Sequence, residues 1–269
     1  MATNEDETQG SRTTANKRKD AFSELMSPKS KHPKSTAITP SSTSKPANLG
    51  NPKNALLAYV LRPDRFPEQI ITYNENTVLI RDAFPKATLH LLLLPRHASK
   101  RDLHPHEAFD DPAFLEMIRG EVTTSLKLAV SELSRLIGPF SETHKARIAA
   151  MESNDPPDTL PPGRDFSKEL RVGIHAHPSM NHLHIHIVSR DMHSARLKHR
   201  KHYNSFNTDF FIPLDDYPLA KDDRRRSISY QNGNLKEDFK CWRCGKIFGN
   251  KFVRLKEHLE QEFEAWKQE

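Results

Sequence analysis

The sequence predicts an α+β fold: an antiparallel sheet with helices, followed by a small metal-stapled module at the C-terminal end. Three observations carry this expectation. The run His182-Leu183-His184-Ile185-His186-Ile187-Val188 alternates imidazole with aliphatic side chains, the period of a strand. Between Phe114 and Ile137 apolar residues recur at three- and four-residue steps, the period of a helix. Near the end, Cys241-Trp242-Arg243-Cys244 is followed by His258 after thirteen intervening residues. Strands and helices in this layout read as α+β.

The chain has 269 residues, enough for one catalytic domain with further parts attached. Only 35% of residues are apolar and 28% are charged, which points to a disordered portion diluting an ordinary core. A formal net charge of +6 suits a polyanionic partner, although charge alone does not separate nucleic acid from a membrane surface or from simple solubility. Two cysteines are too few for a secreted disulfide framework. No apolar run approaches the roughly 20 residues of a membrane span, and no signal-peptide core opens the chain. A soluble, intracellular protein with no membrane partner is expected.

Residues 1–50 read as a disordered tail: fifteen are Ser or Thr, and prolines recur at Pro28, Pro33, Pro40 and Pro46. Its basic clusters, Lys17-Arg18-Lys19 and Lys29 to Lys34, suit a nuclear-import signal, a loose DNA tether or a solvated tail. A domain is expected over 54–212. It should open with a helix over Ala55–Leu61, then strands over Ile70–Tyr73 and Thr77–Asp82 joined by the turn sequence Asn74-Glu75-Asn76. A strand over Thr88–Leu94 and helical spacing over 107–137 follow, with Gly120 a local weakness. Residues 153–163 make a Pro-rich surface excursion, and strands return over Leu170–His175 and His182–Ser189. A low-order linker is expected over 215–234, and a terminal module over 235–269.

Five of the fifteen histidines fall between residues 175 and 186. On a strand His182, His184 and His186 would share one face at roughly 7 Å spacing, with Leu183, Ile185 and Ile187 turned into a core. A solvated polar face is a poor explanation, because exposed positions favour charged residues over imidazoles. A metal site is open, since His is the commonest metal ligand, but the only nearby carboxylate is Asp191 beyond the strand. Nucleophilic attack on phosphorus by the middle imidazole is the third reading.

The His-x-His-x-His pattern, together with Arg81-Asp82-Ala83-Phe84-Pro85-Lys86 ahead of His90-Leu91-Leu92-Leu93-Leu94-Pro95, resembles the histidine-triad (HIT) nucleotide hydrolases and transferases. His175-Ala176-His177-Pro178-Ser179-Met180-Asn181, Lys201-His202-Tyr203-Asn204-Ser205-Phe206-Asn207-Thr208 and the terminal finger are similar to the aprataxin branch of that family. The layout looks like the short fungal form, with no room for a forkhead-associated domain. The resemblance covers roughly residues 54–267.

It implies a DNA-end hydrolase in which His184 attacks the phosphorus of a 5′-adenylate, forms a histidyl-AMP intermediate and releases an ordinary 5′-phosphate, with 3′-guanylate removal as a second activity. Imidazole, with an ordinary pKa near 6.5, is largely neutral at physiological pH and can attack. His182 and His186 would flank it as catalytic partners that fix its tautomer and donate to phosphate oxygens. Asp82 is expected on the ribose hydroxyls, with Lys86, Ser179 and His193 as further substrate-binding residues. His90, alone among leucines, reads as structural.

Cys241, Cys244 and His258 match most of a Cys2His2 finger, and no final histidine follows. Glu262 stands one helical turn beyond His258, so both can face one ion. The resemblance implies a carboxylate as fourth ligand, hence one structural zinc and no catalytic metal. Two free thiols beside an ordinary amphipathic helix are the plain alternative. Arg196, Lys198 and Lys201 are expected to contact the DNA backbone. Implied partners are nicked or adenylated DNA and AMP as product, for a monomer in the nucleus. Two rival functions share these motifs: a histidine-triad hydrolase of free dinucleotides or RNA caps, and a zinc-finger DNA-binding protein whose triad is inactive.

Overall fold

The computed structural model describes residues 51–269, so the expected basic tail at 1–50 lies outside the described residues. After a 3-10 turn at Pro52–Asn54, the described residues form helix α1 (Leu57–Leu61) and strands β1 (Ile70–Tyr73), β2 (Thr77–Arg81) and β3 (His90–Pro95). Next come two single helical turns, α2 (Ala98–Arg101) and α3 (Pro105–Ala108), the long helix α4 (Pro112–Ile137) and α5 (Glu142–Met151). β4 (Leu170–His175), β5 (Ile185–Ser189), α6 (Arg200–Asn207), β6 (Phe211–Pro213) and α7 (Ile228–Asn234) follow. The last segment holds β7 (Phe239–Lys240), β8 (Ile247–Gly249) and α8 (Phe252–Gln268). β1 to β6 form one antiparallel sheet in the order β1-β2-β3-β5-β4-β6, the α+β architecture expected. None of the helices among the described residues is long and apolar enough to cross a membrane.

The turn between β1 and β2 is closed by Asn74, whose Oδ1 accepts the N–H groups of Asn76 and Thr77 at 2.8 Å each. Glu121 on α4 accepts from the side chains of Asn74, Asn76 and Thr77, tying this turn to the long helix. The helix expected over 107–137 is realised as two pieces. Asp111 accepts the N–H groups of Ala113 and Phe114, and Pro112 takes the first helical position, where its missing N–H costs nothing. Those two residues restart the helix after α3.

One face of the sheet packs on α4: Leu79, Leu91, Leu93, Ile185 and Ile187 meet Phe114, Ile118, Val122 and Leu133, all buried. Strand pairing determines the other face. Leu92 and Gly173 both stand opposite His186, so His90, His175 and His186 share that second face. It is flanked by a cluster around Leu56, Val60, Val78, Ile80 and Leu94, and by a second around Tyr203, Phe206 and Phe211.

The stretch 215–234, expected as a low-order linker, is pinned down. Tyr217 Oη lies 2.9 Å from His106 Nδ1, Arg226 bridges to Asp110 at 2.7 Å, and Gln231 is buried with its amide donating to the carbonyls of Asp209 and Arg225. The finger beyond it is docked as well. Trp266 is fully buried in the main core, its Nε1 donates to Glu169 at 2.6 Å, and the Arg164 guanidinium lies 4.8 Å from its ring. Tyr203 on α6 donates its hydroxyl proton to the carbonyl of Lys240 at 2.8 Å. Sequence reading treated this segment as a module of its own because the partners of Trp266 lie about a hundred residues upstream.

Candidate active site

The strand expected from His182 begins later. Ladder pairing starts at Ile185, and His182 and His184 belong to the extended segment leading into β5. Both are buried nonetheless. Nδ1 of His184 lies 2.8 Å from the main-chain carbonyl of His182, so it must carry the proton and donate. The lone pair of a neutral His184 is therefore on Nε2. Burial holds the ring below the ordinary histidine range, so the neutral form prevails at physiological pH.

A chain of hydrogen bonds assigns the neighbouring tautomers in the same way. The Lys86 N–H donates to His90 Nδ1 at 3.2 Å, which leaves the proton of a neutral His90 on Nε2, facing His186 Nδ1 at 2.9 Å. His186 then carries its own proton on Nε2, which is buried and without a partner among the described residues. Burial pushes His90 down to about 4 and His186 well below the ordinary value, so both rings are neutral. Asp82 accepts the Phe84 N–H at 2.7 Å and brings its other oxygen to 3.3 Å from His90 Nδ1. Asp82, His90 and His186 thus come close enough to hold an ion. Both nitrogens of His90 are already committed to hydrogen bonds, which favours the hydrogen-bonded reading of the cluster over the metal reading.

His175 was not among the candidates. Its ring stands 4.4 Å from that of His186, its Nε2 is buried with no partner among the described residues, and burial lowers it well below the usual range. The signal was present in the period-two register of β4 but needed the strand pairing to be read. Gly173 stands opposite His186 in the β4–β5 pairing. A Cβ there would fall 2.5 Å from the carbonyl oxygen of Ile212 and 2.7 Å from the Phe211 ring, so only glycine fits beside His186. His90, read from sequence as merely structural, is the partner that sets the tautomer of His186.

The remaining candidates are spread around this face. Lys86 is part-buried, its ammonium donates to the carbonyl of Phe84, and burial lowers its pKa. Ser179 is exposed on the loop between β4 and β5. His193 does not enter the triad. Its Nε2 lies 2.9 Å from Glu260 on α8, and its ring stacks on Phe263 at 4.0 Å, so it joins the catalytic side to the finger. Arg196, Lys198 and Lys201 are exposed, with the Arg196 guanidinium 5.7 Å from the exposed Phe84 ring. Asp191, the one carboxylate noted near the triad, is buried. It accepts from the main chain and hydroxyl of Thr88, both at 2.9 Å, from Ser189 and from the His193 N–H at 3.0 Å. It is a structural knot.

Cys241, Cys244, His258 and Glu262 bring four ligand atoms within 4.8 Å of one another. Cys244 Sγ stands 3.1 Å from His258 Nε2, which stands 3.0 Å from Glu262 Oε1. Two sulfurs, one imidazole and one carboxylate at these separations suit a four-coordinate zinc. Arg243 binds the other Glu262 oxygen at 2.7 Å and holds this carboxyl below its ordinary pKa, ready as an anionic ligand. One structural zinc fits this site, with Glu262 in the place of the missing histidine.

Comparison with known proteins agrees with this geometry. Residues 64–193 match the HIT domain, and residues 207–265 match the C2HE / C2H2 / C2HC zinc-binding finger. An aprataxin-like protein of Saccharomyces cerevisiae is 39% identical over 217 residues, covering 78% of this chain and 95% of that one. One from Schizosaccharomyces pombe is 33% identical, covering 80% and 82%. Among solved structures, the aprataxin ortholog Hnt3 in complex with DNA has a TM-score of 0.64 at 31% identity, covering 80% of this chain and 96% of that chain. Hnt3 in complex with DNA and guanosine gives 0.63 at the same identity. A triad domain and a finger on one chain, together with 39% identity to an aprataxin-like protein covered over 95% of its length, place this chain in the aprataxin-like family of histidine-triad proteins.

Proposed function

We propose that this protein is a DNA-end repair hydrolase that removes AMP from 5′-adenylated DNA through a histidyl-AMP intermediate. The observation that carries the reading is the hydrogen bond from His184 Nδ1 to the carbonyl of His182, which leaves the attacking lone pair on Nε2 of a buried, neutral ring. Its lone pair attacks the adenylate phosphorus as the bond to the DNA phosphate oxygen breaks, and DNA leaves with a 5′-phosphate. Water then attacks the same phosphorus, the N–P bond breaks and AMP departs. The leaving phosphate is already a stabilised anion, so the first step needs little acid assistance. The unpartnered Nε2–H of His186 is available to a phosphate oxygen, where a preorganised donor stabilises developing charge.

Asp82 and Lys86 stand beside His90 at the edge of this cluster and are assigned to the nucleotide, with Ser179 assigned to phosphate from the exposed loop. His193 is better assigned to the finger contact than to substrate. Exposed Arg196, Lys198 and Lys201 are assigned to the DNA backbone, so binding should weaken with added salt. The DNA complexes of Hnt3 support DNA over free dinucleotides or RNA caps as substrate, and Hnt3 bound with DNA and guanosine keeps 3′-guanylate removal within the same reading. A monomer acting in the nucleus completes the proposal.

Replacing His184 with Ala should abolish turnover of adenylated nicked DNA and the covalent AMP adduct on denatured protein, while leaving DNA binding within a few-fold of wild type. Near-wild-type turnover by that variant would remove the nucleophile assignment.

A further inference from the structure

The nucleophile sits one residue outside the sheet. Ladder pairing of β5 begins at Ile185, so among the described residues no strand neighbour holds residues 182–184 in register. What holds them is the corner after α2. The Leu183 N–H donates to the carbonyl of Arg101 at 2.7 Å, and His182 Nδ1 lies 2.6 Å from Asp102 Oδ1. These two contacts, one main-chain and one side-chain, come from adjacent residues on one element and grip adjacent residues on the other.

The side-chain contact reaches the chemistry. With the Asp102 carboxylate as acceptor, His182 must present Nδ1–H to it, which fixes both ring orientation and tautomer. The carbonyl of the same His182 accepts the Nδ1 proton of His184 at 2.8 Å. Asp102 therefore anchors the ring of the residue whose main-chain carbonyl orients His184, so a shift of His182 carries to the nucleophile. Nε2 of His182 is buried and has no partner among the described residues, so it is the ring atom that faces a bound substrate. Asp102 is itself more than half exposed, with its second oxygen 3.5 Å from Arg101 Nε, so it completes no core.

We propose that Asp102 is a positioning residue for the hydrolytic reaction, acting through His182 on the nucleophile His184. The inference rests on the reading of His184 as nucleophile. Small displacements of a reacting group cost on the order of 10- to 100-fold in rate. Asp102→Ala should accordingly lower kcat on adenylated nicked DNA by about 10- to 100-fold with KM little changed and the melting temperature held. Asp102→Asn keeps an oxygen in the same place to accept the Nδ1 proton, and should recover most of kcat. Imidazole 15N spectra should show His182 protonated on Nδ1 in the wild type and in Asp102→Asn, and a tautomer mixture in Asp102→Ala.

Wild-type kcat in Asp102→Ala would overturn the proposal, as would a loss confined to KM or one that Asp102→Asn fails to restore. A lowered kcat with the His182 tautomer unchanged would equally exclude the route through His182. His184→Ala serves as the separate control: if it stays active, the nucleophile reading fails, whatever the spectra of His182 show.

Discussion

At the scale of single residues, burial does two opposite things to polar groups on the triad face. It removes charge from imidazoles, and it makes an unmade hydrogen bond costly, so His90 and His186 pair with each other. The alternation of His182, His184 and His186 was legible in the sequence because a strand-like period shows in neighbouring letters. The partner His90 was not, because it reaches His186 only through pairing of strands 96 residues apart. The same burial has a kinetic consequence. Since His184 is held below the ordinary histidine value, it stays deprotonated as pH falls through 6.5 and is protonated only further down. The acid limb of kcat/KM should thus lie below pH 6.5. A limb at or above that value, measured on a small AMP conjugate to avoid effects on DNA binding, would contradict a buried neutral nucleophile.

At the scale of elements, errors of sequence reading fell at boundaries where a side chain outside the element decides the matter. Asp111 and Pro112 restart a helix that apolar spacing alone extends back to 107. β5 begins at Ile185 because the residues before it are gripped by Arg101 and Asp102 in place of a strand. β4 shows how tightly one strand can be constrained. Gly173 faces the Phe211 ring on one side of His186, and a methyl group there meets both ring and backbone at under 3 Å. Gly173→Ala should destabilise the protein by about 1–3 kcal/mol, the usual range for overpacking, and lower turnover through displaced His175 and His186. Chemical denaturation checks the first effect; a variant as stable and active as wild type would show that β6 yields more easily than its geometry implies.

At the scale of the whole molecule, the sequence announced two modules but not their union. Cys241, Cys244 and His258 were legible from their spacing, and Glu262 from the family resemblance together with its place one turn beyond His258. The docking was not, because Trp266, Glu169, Arg164 and Tyr203 are ordinary residues until the fold assembles them. One helix does both tasks: α8 carries His258 and Glu262 for the ion, Glu260 and Phe263 for His193, and Trp266 for the core. Glu262→Ala should therefore lose zinc and lower the melting temperature of the entire protein by several degrees, at roughly 2–4 °C per kcal/mol for a domain of this size. Glu260→Ala should keep its zinc, since that carboxylate faces His193. Elemental analysis and calorimetry on the two variants separate these outcomes. The buried Trp266 also limits what protein engineers can exchange. A finger transplanted from another DNA-binding protein would bring its own metal but leave a tryptophan-sized hole in the recipient's interior, so grafts at this junction must be chosen for the side they turn inward before the side they turn to DNA.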